Sequence, residues 1–116
     1  MLTDRMFLHT KKFDSLWSEL GCDDDDLLEL QKIICANPQA APVISGTGGV
    51  RKIRVALEGR GKSGGARVLY ADFPERGIVA LLYAYPKNEK ENITAEERKI
   101  LKTMAEQINS NWSNRK

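Results

Sequence analysis

The run VRKIRVALEGRGKSGGARVLYADFPERGIVALLYAY, residues 50–85, decides how this chain folds. Ile53, Val55 and Leu57 alternate with Lys52, Arg54 and Ala56, the period of a strand with one face turned to a core. Ala66–Phe73 and Ile78–Tyr85 read as two further strands. Pro74-Glu75-Arg76-Gly77 between them has the composition of a tight turn. The link between the first two strands is rich in glycine and can turn sharply. With Gly46, Gly48 and Gly49 just ahead of the run, this region holds most of the nine glycines of the chain.

Ahead of this run, Arg5–Leu8 reads as a short opening strand. Lys11–Leu20 then places Phe13, Leu16, Trp17 and Leu20 on one helical face, and Gly21 ends that helix. Asp23–Asp26 supplies a cap and first-turn carboxylates for a second helix, favourable at its positive end. Leu27, Leu30, Ile33 and Ile34 are its expected buried stripe, and Asn37-Pro38 stops it. Pro38–Gly49 is a loop. After the strands, Thr94 with Glu97 three positions later is a capping-box signature. Ile100, Leu101, Met104, Ala105 and Ile108 form the inner face of that last helix. The tail at 109–116 is polar apart from Trp112 and is expected to fray. The order predicts one compact α+β domain over residues 1–116. In it, N-terminal helices pack on a small, mostly antiparallel sheet, and a C-terminal helix closes the chain.

Composition narrows the function classes. No apolar run approaches the roughly 20 residues that cross a bilayer, and Asp4 with no long apolar stretch argues against a secretory signal. The expected location is the cytoplasm, with no membrane partner. Cys22 and Cys35 show no metal-ligand spacing, and four adjacent Asp residues lack the spaced pattern of a calcium loop, so neither metal nor cofactor is expected. Cys35 lies in an apolar helical run and reads as a small buried hydrophobe. The overall charge is only +2, but its distribution is uneven. Residues 1–30 hold eight acids and three bases (−5), whereas residues 50–90 hold nine bases and four acids (+5). A positive sheet on an otherwise acidic molecule suits a phosphate backbone or an acidic partner.

Alternation puts Lys52 and Arg54 on the face away from Ile53 and Val55. Arg67 falls on that same face of the next strand, with Val68 and Tyr70 opposite. Three fixed cations repel one another unless an anion neutralises them, and guanidinium forks match phosphate oxygens bidentately. Arg51 points to the other face and can pair or snorkel at its edge. Arg60 and Lys62 sit in the Gly-rich hairpin, which is neither a dinucleotide fingerprint nor a phosphate loop because a strand follows it. Lys87, Asn88, Glu89 and Lys90 follow the last strand. Tyr70, Tyr83 or Tyr85 could stack a base.

RNA carries its own nucleophile in the ribose 2′-OH. A protein that cleaves it needs to align the phosphate, stabilise charge on its oxygens and assist proton transfer. Arg54 and Arg67 suit the electrostatic role. Lys52 or Lys87 would assist proton movement or the leaving group, and Glu89 is an alternative base, since an ordinary lysine with a pKa of about 10.4 is a poor base at neutral pH. The rival reading is a non-catalytic basic module that binds RNA or an acidic protein segment.

The blocks GTGGVRKIR (46–54), GRGKSGGARVLY (59–70) and YPKNEKENITAEE (85–97), in this order and spacing, resemble the RelE/HigB-like toxins of bacterial type II toxin–antitoxin systems, in particular their HigB-2-like branch. The resemblance covers nearly the whole chain. It implies the compact RelE-like fold and an mRNA interferase that cleaves messages in the ribosomal A site. It further implies a cognate antitoxin, of helix-turn-helix type, that neutralises the toxin. Lys52, Arg54, Arg67 and Lys87 match the basic catalytic positions of the family. Arg51, Arg60, Lys62, Asn88 and Lys90 are expected to hold RNA or ribosome. Asn88 stands where the best-studied relatives carry another catalytic arginine, Ile93 roughly where they carry a tyrosine, and Pro86 where a glycine is common.

Overall fold

In a computed structural model that describes residues 4–56, 65–87 and 92–113, the chain runs β1 (Met6–His9), α1 (Lys11–Glu19), α2 (Asp24–Ala36), β2 (Val50–Val55), β3 (Ala66–Phe73), β4 (Ile78–Pro86) and α3 (Ala95–Ser113). The sheet order is β1-β4-β3-β2. The β2–β3 and β3–β4 pairs are antiparallel, as expected, while β1 lies parallel to β4 and makes the sheet mixed.

Local chemistry sets the helix starts. Thr10 accepts the Phe13 N–H at 3.0 Å and donates to the Leu82 carbonyl, tying the start of α1 to β4. Asp23 and Asp26 form a reciprocal capping box at α2, and Thr94 with Glu97 forms the same arrangement at α3. Asn37 caps the end of α2, and Gly21 and Gly77 take left-handed conformations after α1 and the Pro74–Arg76 turn.

The sheet has a core on each side. Phe13, Trp17, Leu20, Leu30 and Ile34 from α1 and α2 pack on Val55, Val68, Tyr70, Val79 and Leu81. Leu101 and Ala105 of α3 pack with Ile93 on Val50, Leu69, Ala71, Leu82 and Tyr85 on the other side. Each large side chain buried this way contributes roughly 1.5–3 kcal/mol. Two expected core residues stay outside, since Ile33 and Ile100 are 50% and 54% exposed. Each immediately precedes a residue that takes the inner position, Ile34 and Leu101, and one helical step turns a side chain by about 100°. Cys35 is likewise only half-buried.

A polar seam joins the loop after α2 to the sheet. Arg51 donates to the Gln39 and Ala41 carbonyls at 2.8 and 2.7 Å, and the Tyr70 hydroxyl donates to the Pro38 carbonyl at 2.8 Å. Arg5 grips Asp72 with two nitrogens, at 2.7 and 3.2 Å. Hydrogen bonding to that carboxylate raises the pKa of the Arg5 guanidinium.

Candidate nucleic-acid interface

Two rows of side chains cross the sheet on the α3 side. Register pairs Arg54 with Arg67 across β2 and β3, and Arg67 with Tyr85 across β3 and β4. The neighbouring row is Lys52, Leu69 and Tyr83. Arg54 and Arg67 are therefore direct cross-strand neighbours, with Cα atoms about 4.5–5.5 Å apart, and Lys52 lies diagonal to Arg67. Arg54 is exposed, while Lys52 and Arg67 are half-buried. Among the described residues no carboxylate forms an ion pair with any of the three. Such a cluster on a rigid sheet can hold a tetrahedral oxyanion from two sides.

Strand geometry produces this convergence. The register slips by one residue at Leu69/Tyr70, so β4 spends Leu82 and Tyr83 against a single step of β3. Both side chains then lie on the α3 side, and Tyr83 and Tyr85 share it with ring centroids 6.1 Å apart. At the root of the β2–β3 hairpin, Gly65 has φ +73°. A Cβ there would overlap the carbonyl oxygen of Val55, so only glycine lets the strands close beside Arg54 and Arg67. The Lys87 N–H donates to the Gly65 carbonyl at 3.0 Å, which pins Lys87 at the same end of the sheet.

The structure thus brings Lys52, Arg54 and Arg67 together and sets Lys87 at their end of the sheet. Arg51 stands on the opposite face, its guanidinium on loop carbonyls. Arg60, Lys62, Asn88, Glu89 and Lys90 lie outside the described residues. Tyr70 is fully buried in the α1/α2 core, and Tyr85 is buried on the α3 side. Ile93 is buried against α3. His9 contacts Asp14 and the Phe13 ring, away from the cation rows. No group of three or more metal-ligating side chains is assembled among the described residues.

Two further features border this face. Arg98 and Lys102, one turn apart on α3, lie against Gly46 and Gly48 in the loop that leads into β2; a Cβ on those glycines would meet Arg98 Cδ at 3.7 Å and Lys102 Cγ at 3.5 Å. Their i, i+4 spacing opposite a Gly-rich loop was the available signal. The second is a cleft of about 340 Å³ between α3 and the sheet, walled by Leu69, Tyr83, Ile93, Leu101 and Met104, with Lys12, Glu97 and Ile100 also lining it. Those positions come from four separate elements and one loop, and no spacing along the chain joins them.

The family model described as RelE toxin of the RelE / RelB toxin-antitoxin system matches residues 5–115. Among solved structures, a mutant of the E. coli toxin RelE with two arginines replaced by alanine, in the free state, is similar to this chain. The two align with a TM-score of 0.56 and 16% identity, over 89% of this chain and 98% of that one. That likeness is one of fold. No helix among the described residues is long and apolar enough to cross a membrane.

Proposed function

This chain belongs to the RelE family of toxins, and from that premise we propose that it is a ribosome-dependent endoribonuclease that cleaves mRNA and so stops translation. The observation that carries the reading is the direct opposition of Arg54 and Arg67 across β2 and β3. In it, the two guanidinium groups grip the non-bridging oxygens of the scissile phosphate and stabilise the charge that grows there. Lys52, diagonal to Arg67, adds a third positive charge. The 2′-oxygen attacks phosphorus as its proton passes to a base, for which Glu89 is the candidate. The bond from phosphorus to the 5′-oxygen breaks, and Lys87 gives that oxygen its proton. The products are a 2′,3′-cyclic phosphate and a 5′-hydroxyl. Arg60, Lys62, Asn88 and Lys90 would hold RNA or ribosome, whereas the position of Arg51 on the other face suits it to fixing the loop.

The likeness of the GTGGVRKIR, GRGKSGGARVLY and PKNE blocks supports membership of the HigB-2-like branch. Its partners would be the ribosome, the message and a cognate antitoxin of helix-turn-helix type, and its location the cytoplasm.

The test is message cleavage by the purified protein with and without translating ribosomes, with the chemical nature of the new 3′ ends identified. Cleavage only on ribosomes, leaving cyclic phosphate ends, is the expected result. Intact message under both conditions would leave the non-catalytic binding module as the better reading. Ends carrying a 3′-hydroxyl would overturn attack by the 2′-oxygen.

A further inference from the structure

We propose that the cleft between α3 and the sheet is a subsite for one unpaired base of the bound RNA. The subsite rests on the reading that Lys52, Arg54 and Arg67 hold RNA phosphate.

The cleft is continuous with the cation rows. Leu69 and Tyr83 line the cleft, and they are also the second and third members of the row that begins at Lys52. Arg67 and Leu69 lie two residues apart on one face of β3, about 7 Å along the strand. That is on the scale of the reach from the phosphate of a nucleotide to its base. A phosphate gripped by the cations therefore leaves an attached base at the mouth of the cleft.

The lining chemistry fits a base. Leu69, Ile93, Leu101 and Met104 are apolar walls for a flat ring, and Tyr83 supplies an aromatic one. Lys12 also lines the cleft, and an ammonium there suits a carbonyl on the base edge. A volume of about 340 Å³ is at the lower end of the roughly 300–1,000 Å³ seen for small-molecule sites, enough for one base and not for a duplex. Single-stranded RNA is commonly read in this way, with a splayed base set against an aromatic side chain while cations hold its backbone. An apolar side chain of a protein partner would fill such a cleft too. The cation row that runs into this one favours a nucleotide.

Ile100 lines the cleft and is 54% exposed, so it can be enlarged without disturbing the core. The probe is a five-nucleotide single-stranded RNA, 2′-O-methylated to block cleavage, compared with versions in which one sugar lacks its base. Wild type should bind the complete oligomer about tenfold tighter than the version lacking the critical base. Ile100→Trp should abolish that difference while leaving affinity for the base-free version unchanged. Equal wild-type affinity for all versions would overturn the subsite while leaving phosphate binding intact. Failure of every version to bind would overturn the phosphate reading itself, and the subsite with it. Should Ile100→Trp keep the base preference and lose association with a protein partner, the cleft belongs to that partner instead.

Discussion

Arg54 on β2 and Arg67 on β3 face each other directly, and among the described residues no carboxylate pairs with either of them. Like charges placed this way on a sheet are mutually destabilising. In the proposed complex, a bound phosphate relieves that repulsion.

Replacing either arginine should separate activity from stability. Arg67→Ala is expected to lower ribosome-dependent cleavage by about 10²–10³-fold, the scale of losing one transition-state donor. Arg54→Ala should leave the stability unchanged or raise it by up to about 1 kcal/mol as the repulsion disappears. Cleavage rates and urea midpoints for both variants check this. A folded Arg67→Ala protein with full activity would sink the assignment.

Gly65→Ala should weaken the fold at the site itself. The residue has φ +73°, and the new Cβ would overlap the Val55 carbonyl. A loss on the order of 2 kcal/mol is expected, together with reduced cleavage, because the root of the β2–β3 hairpin sets the spacing of Arg54 and Arg67. Gly21→Ala is the comparison: φ is +80° but nothing lies within 4 Å of the added carbon, so its cost should be smaller and activity should persist.

The Arg5–Asp72 pair should matter for stability and not for cleavage. Its side chains are 10% and 2% exposed, and the carboxylate also accepts from Gln39 at 3.3 Å. Asp72→Ala leaves the Arg5 guanidinium largely buried without its partner, with an expected loss of about 3–5 kcal/mol. Arg5→Met combined with Asp72→Leu should recover most of it. Chemical denaturation of the three proteins measures the difference, and a loss under about 0.5 kcal/mol in the single variant would contradict the role.

Alkaline pH should unfold the protein partly through Tyr70. Burial raises the pKa of its phenol, and the hydroxyl donates to the Pro38 carbonyl. The folded state thus keeps a proton that the unfolded chain gives up near the ordinary value of about 10. The contribution is whole below that value and declines as pH rises toward the folded pKa. Tyr70→Phe should flatten this part of the stability profile. Melting temperatures from pH 8 to 11.5 for both proteins test it, and identical alkaline slopes would refute it.

Local structure and the content of the cation row were legible along the chain. Asp23 and Thr94 announce the helix starts because caps are made within one turn. The alternation of Lys52, Ile53, Arg54 and Val55 fixes their faces because the strand period is two. What lies over those faces follows from long-range packing. The parallel docking of β1 on β4, the slip that turns Leu82 and Tyr83 to one side, and the laying of α3 across Val50, Leu69 and Leu82 each join residues far apart in the chain. The outward positions of Ile33 and Ile100 depend on which helical stripe the sheet can cover, which propensity does not encode. Lys52, Arg54 and Arg67 were thus legible as cations on one side of a sheet. That this side is half roofed by α3, with a cleft opening from the Lys52 row, follows from long-range packing of both faces.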